Sequence, residues 1–162
     1  MTVKAKVLGP NDGDIMGGAS GTADRFMIDG EESGGRFALV EHRLAPYELA
    51  APLHFHTLED EYSYVLEGRV GALLGDEELF AEAGHLIFKP RGQWHTFWNA
   101  GDAPARILEI ISPSGLEKLF RMLDGLDEFP DPAAIAAMAA PYGAKADIEG
   151  TLPIVERHGL VF

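Results

Sequence analysis

Two histidines one residue apart, His54 and His56, with the acidic run Glu59, Asp60 and Glu61 behind them, are the residues best suited to chemistry. On an extended strand successive side chains alternate faces, so residues 54 and 56 project together while Phe55 faces the opposite layer. Two imidazoles and a nearby carboxylate suit a divalent transition metal. A further ligand must come from elsewhere in the chain. Residues 84–99 read as a strand (85–89), a turn at Pro90-Arg91-Gly92, and a second strand carrying His95. Proline presets φ and glycine tolerates positive φ, so this turn reverses the chain and aims His95 back toward the first pair. There is no cysteine. Disulfides, thiolate metal sites and a cysteine nucleophile are thereby excluded, and metal ligation must use imidazole and carboxylate.

These residues stand in two gapped motifs. His54-x-His56-x4-Glu61-x6-Gly68 resembles the first motif of the cupin family, G-x5-H-x-H-x3–4-E-x6-G, with Glu48 where the family has its opening glycine. Gly84-x5-Pro90-x-Gly92-x2-His95-x3-Asn99 is similar to the second, G-x5-P-x-G-x2-H-x3-N, at every position. Fifteen residues separate Gly68 from Gly84, close to the shortest spacing the family uses. The chain is therefore identified as resembling a single-domain cupin, with the likeness running over about residues 35–112. The resemblance implies an all-β jelly-roll barrel (a double-stranded β-helix) enclosing a divalent transition metal: Fe, Mn, Ni, Co, Cu or Zn. His54, His56, Glu61 and His95 would hold it. Glu61 is preferred to Glu59 and Asp60 because the glycine spacing selects it and because it opens a strand. The other two acids then become solvated turn residues. By the same resemblance Glu61 is the catalytic group, accepting a proton from a substrate hydroxyl.

The elements that must position these residues are short strands with period-2 alternation, at 25–28, 36–44, 61–66, 70–74, 78–80, 85–89, 93–99 and 105–111. Alternation from Glu61 places Ser63 on the ligand face, as a pocket-lining group or as a small residue packed inward. Phe97 shares a face with His95, as pocket wall or as barrel core. Glu109 is either an inward carboxylate able to act as a base or an edge-facing charge; the second is preferred, because acids are rarely buried. His42, outside both motifs, reads as a surface or hydrogen-bonded core histidine. After residue 112 the pattern turns helical. Ser114-x-x-Glu117 has the form of a capping box, Leu116, Leu119, Phe120 and Leu123 recur at helical spacing, and Asp131-Pro132 opens a second helix. The expected organisation is one domain over 1–162: a barrel core at about 35–112, two short helices within 113–141, and an irregular tail over 142–162 with strand at 152–155.

The 162 residues carry 13 basic and 26 acidic side chains, a formal net charge of −13. That argues against nucleic acid or anionic membrane as the main partner and does not itself identify a substrate; a small-molecule substrate is what the cupin resemblance implies. The N-terminus shows no secretory pattern and no apolar run spans a bilayer, so a cytoplasmic protein is expected. Exposed sheet edges suggest a homodimer. The motifs, with residues 112–120 (SPSGLEKLF) and Pro141-Tyr142-Gly143, are similar to small bacterial cupins of the quercetin dioxygenase type. This likeness implies a metal-dependent dioxygenase acting on a phenolic or enol-type molecule. A metal-dependent isomerase, cyclase or lyase of secondary metabolism is the alternative, and a non-catalytic small-molecule-binding cupin the third reading.

Overall fold

A computed structural model describes residues 4–18, 21–128 and 130–162. Among the described residues the strands are β1 (Asp14–Gly17), β2 (Thr22–Ile28), β3 (Ala38–Leu44), β4 (Leu53–His56), β5 (Asp60–Glu67), β6 (Arg69–Leu74), β7 (Glu77–Glu82), β8 (Leu86–Lys89), β9 (His95–Asn99), β10 (Ala105–Ser112) and β11 (Ala144–Asp147). They form a six-stranded sheet, β1-β2-β3-β10-β5-β8, and a five-stranded sheet, β11-β4-β9-β6-β7. This is the expected all-β jelly roll, and every strand read from alternation is present. β1, β2 and β11 lie outside residues 35–112, so both sheets extend beyond the span marked by the motifs.

The inward faces of the sheets make one apolar cluster from Leu44, Val65, Val70, Ala72, Ile87, Phe97 and Ile107. A second cluster joins Phe26, Ala38, Val40 and Ile111 to Leu116 and Leu119 beside helix α2. The helices are a single turn α1 (Gly30–Ser33), α2 (Glu117–Asp124), α3 (Pro132–Ala139) and α4 (Ile148–His158). Asp131 caps α3 as its sequence predicts, accepting from the Ala134 N–H at 2.8 Å. The expected capping box at Ser114 does not form. Leu116 is the N-cap of α2, and buried Glu117 instead accepts from the backbone N–H groups of Gly30 and Gly115. No helix is long and apolar enough to cross a membrane among the described residues.

The tail differs from expectation. Residues 152–155 lie inside α4, not in a strand. Asp147 caps this helix by accepting from Gly150, and Gly159 ends it in a left-handed conformation (φ 61°). Pro153 argues against a helix in the sequence. Ile154 overrides it by packing with Leu49, Trp98 and Leu160 in a third apolar cluster. The tail also supports the histidine strand. β11 pairs with β4, placing Ala146 opposite His54 and Ala144 opposite His56. The buried Thr151 hydroxyl accepts from Leu53 N–H at 2.9 Å and donates to the Asp147 carbonyl at 2.6 Å.

Two motif positions have structural explanations. The turn before β4 takes its left-handed residue at Tyr47 (φ 58°), so Glu48 fills the motif's glycine position without strain. Asn99 is fully buried. Its amide donates to the carbonyls of Leu44, Ala45 and Ala103 at 3.3, 2.9 and 2.8 Å and accepts from Gly101 N–H at 2.9 Å. It therefore ties the end of β9 to the end of β3. Asn99→Ala leaves these carbonyls without their donor and should destabilise the fold by about 2–4 kcal/mol in urea unfolding. A loss below about 0.5 kcal/mol, the range of neutral surface changes, would contradict that anchoring role.

Candidate metal centre

His54 and His56 come from β4 and His95 from its neighbour β9, where residues 54 and 95 are directly paired. Glu61 comes from β5 in the opposite sheet. The histidine ring centroids lie 4.3 Å (54–95), 5.1 Å (56–95) and 5.9 Å (54–56) apart. Glu61 Oε2 stands 3.3 Å from His95 Nε2 and 3.5 Å from His56 Nε2. One donor atom from each of the four residues lies within 4.8 Å of the others. Adjacent ligands at about 2.1 Å from a six-coordinate ion are themselves about 3 Å apart. The spacing therefore suits a shared ion.

The turn between β8 and β9 carries out the reversal read from its residues. Gly92 has φ 75°, and its N–H donates to the His56 carbonyl at 2.8 Å. Arg91 binds Asp60 through its backbone N–H and its guanidinium, at 2.7–3.0 Å. The turn is thus fastened to both strands of the first motif.

Hydrogen bonding sets which nitrogens face inward. Nδ1 of His54 donates to the Pro52 carbonyl at 2.7 Å, and Nδ1 of His95 to the Gln93 carbonyl at 2.9 Å. A carbonyl only accepts, so Nδ1 carries a proton in both rings, and Nε2 is the nitrogen that would ligate an ion. Nε2 of His56 and of His95 is buried without a hydrogen-bond partner. Such nitrogens are rare unless something else satisfies them, and a divalent cation would. Burial, with repulsion from His95, pushes the pKa of His54 down to about 3, which keeps it in the neutral, ligating form. Burial alone would raise Glu61. The Lys89 ammonium and the neighbouring His56 and His95 outweigh it and hold this carboxyl well below the usual range. The four donors could hold a metal ion, and their chemistry fits imidazole–carboxylate ligation.

Behind the donors a band of charged groups crosses the six-stranded sheet diagonally. Lys89 on β8 is opposite Glu61 on β5, and its Nζ bonds Glu61 Oε2 at 2.9 Å. The same ammonium bonds Glu109 Oε2 on β10 at 3.0 Å. Ser63 donates to that oxygen at 2.7 Å, and His42 Nε2 on β3 approaches it to 3.9 Å. His42 Nδ1 bonds Asp24 on β2 at 2.6 Å. The signs alternate along this band, which separates the first two apolar clusters. The Lys89 ammonium also sits 4.4 Å from the centre of the Phe97 ring.

Several readings of the sequence change here. Glu109 is not edge-facing: it is completely buried and points inward, made tolerable by Lys89, Ser63 and His42. Glu59 is not a solvated turn residue. It is 2% exposed, with Oε2 3.7 Å from His56 Nδ1. Ser63 faces inward and serves Glu109, and Phe97 belongs to the core cluster beneath the charged band. His42 is a hydrogen-bonded interior histidine, one of the two readings given to it. Lys89 was missed. The available signal is alternation in β8, which buries Ile87 and Lys89 and leaves Leu86 and Phe88 exposed. With an apolar outer pair, hydrophobicity does not show which face is inward.

The Cupin domain family model matches residues 40–111, a span containing all four donors. The chain is 31% identical over 115 residues to the tetracenomycin polyketide synthase protein TcmJ of Streptomyces glaucescens, covering 70% of this chain and 76% of TcmJ. Polyketide cyclase RemF from Streptomyces resistomycificus superposes with a TM-score of 0.58 at 32% identity, covering 68% of this chain and 81% of RemF. KdgF from Halomonas sp. superposes with a TM-score of 0.62 at 15% identity, covering 71% of this chain and 99% of KdgF, a likeness of fold alone.

His56→Ala should lower metal affinity by at least the roughly 10–100-fold that losing a supporting residue causes, measured by elemental analysis after limiting loading. Unchanged metal content would remove His56 from the ligand set. The charged band gives a second expectation. Asp24 outweighs the burial of His42 and raises its pKa from 6.5 to about 9. A pKa raised by folding adds stability that is complete below the unfolded value and lost as pH climbs through the folded one. The melting temperature should therefore fall between pH 6.5 and about 9. Burial and Asp24 raise Asp124 at the end of α2 from 3.8 to about 7. The Asp124→Asn protein should thus gain on wild type as pH rises from 3.8 to about 7. Stability independent of pH over both windows would contradict the assignment.

Proposed function

This chain belongs to the cupin superfamily, and from that premise we propose that it is a metal-dependent enzyme of polyketide metabolism that cyclises a substrate with several carbonyl groups. The observation that carries the reading is its 32% identity to a polyketide cyclase over 68% of this chain, joined to a three-histidine, one-glutamate cluster in which His56, Glu61 and His95 are buried and His54 is half-buried. The 31% identity to TcmJ supports the same class. These relatives favour the cyclase alternative over a dioxygenase.

His54, His56, His95 and Glu61 would hold the ion, which supplies a Lewis acid for a substrate carbonyl. Cyclisation of such a molecule needs no oxidant. A proton leaves the carbon between two carbonyls, that carbon bonds to another carbonyl carbon of the same chain, and the new alkoxide takes up a proton. Glu61 is suited to receive the first proton, being ionised and buried beside the donors. Glu109 is raised by burial and by Glu61, with Lys89 between the two carboxylates. Two acids with pKa values driven apart around one ammonium suit opposite roles in proton transfer. The apolar clusters on either side of the charged band limit the water that would quench an enolate.

The test is to incubate metal-loaded protein with a linear poly-β-carbonyl compound while following product mass and dissolved oxygen. We expect a cyclised product and no oxygen uptake. Stoichiometric oxygen consumption would return the dioxygenase reading. Glu61→Gln should lower turnover by about 10²–10⁴-fold, with metal content measured in the same samples.

A further inference from the structure

The oxygen of Glu61 that faces His56 and His95 is also the one bonded by Lys89. Glu61 Oε2 lies 3.3 and 3.5 Å from the two ring nitrogens and 2.9 Å from Lys89 Nζ. A fixed positive charge therefore occupies one side of the atom best placed to ligate. Lys89 is 1% exposed and cannot swing into solvent without opening the sheet. It is held from behind by Glu109 at 3.0 Å, which is itself held by Ser63 at 2.7 Å.

We infer that Lys89 is a positioning residue that competes with the metal for Glu61, so that Glu61 is the weakly held member of the ligand set. Among the described residues no ammonium or guanidinium bonds any of the three imidazoles, and His54 and His95 are each fixed by a backbone carbonyl on the far side of the ring. They anchor the ion, while Glu61 is shared between ion and ammonium. A shared carboxylate keeps an electron pair available for a substrate proton, whereas a fully committed ligand does not. Glu109 governs the sharing, because it draws the ammonium away from Glu61. The inference rests on the metal-holding role of the four donors and not on the reaction they serve.

The two members of the Lys89–Glu109 pair should act in opposite directions, which a purely structural role would not produce. Glu109→Gln leaves the ammonium to Glu61 alone and should weaken cobalt(II) binding. Lys89→Met/Glu109→Gln removes one charge of each sign, keeps side-chain volume, and should bind cobalt(II) about tenfold more tightly than wild type, from the loss of one opposed charge contact. Affinity is measured at pH 8 by chelator competition on the whole chain, with cobalt absorption reporting the ligand field and circular dichroism reporting the fold. Lys89→Gln/Glu109→Gln, which retains a hydrogen-bonding pair, replaces the first double variant if that protein does not fold. Tighter binding with an altered cobalt spectrum supports the competition. Wild type that binds cobalt while the double variant binds equally or more weakly overturns this inference alone. Wild type that takes up no cobalt overturns the metal assignment and the inference together.

Discussion

Buried imidazole nitrogens that neither donate nor accept a hydrogen bond are what this fold must accommodate. A neutral ring nitrogen without a partner in the interior forfeits its hydration, at about 1–3 kcal/mol. Among the described residues three such atoms are present, both nitrogens of His56 and Nε2 of His95, and the two Nε2 atoms stand beside a carboxylate and a third imidazole. A cation shared by all four residues would meet the demands of both Nε2 atoms at one point. Three donors come from one sheet and the fourth from the other, so an ion at that point would also bridge the two layers.

The surroundings follow from this constraint. A carboxylate buried among imidazoles needs a counter-charge, and Lys89 provides it. A buried ammonium needs more than one acceptor, and Glu109 provides the second. Glu109 in turn is met by Ser63 and faced by His42, and His42 is bound to Asp24. Each group answers the one before it, and the band ends only near the surface helix α2. Buried ion pairs often contribute little net stability compared with apolar residues. Their placement across the sheet, between two apolar clusters, is better explained by what they do to Glu61 than by folding energy.

Much of this was readable from residue types and spacing. Alternation in β4 put the two histidines on one face, and Pro90 and Gly92 signalled the turn that returns His95 to them. The parts that were not readable depend on contacts distant in sequence. Glu109 looked like an edge charge because its partners Lys89, Ser63 and His42 lie 20, 46 and 67 positions away in the chain. Lys89 itself was hidden by the apolar outer face of β8. Glu59 looked solvated because nothing local indicates that its turn folds against His56. The helix α4 was obscured by Pro153, whose local preference yields to packing of Ile154 against Trp98 and Leu160. Local periodicity reports which face a residue takes, but not what waits on that face.

The most direct measurement is X-ray absorption at the metal edge of protein purified and loaded with a single divalent metal. We expect a first shell with three imidazole nitrogens at about 2.0–2.1 Å and an oxygen, with the imidazole scattering lost in part when His95 is replaced by alanine. A first shell of oxygen alone, or one unchanged by that replacement, would contradict it.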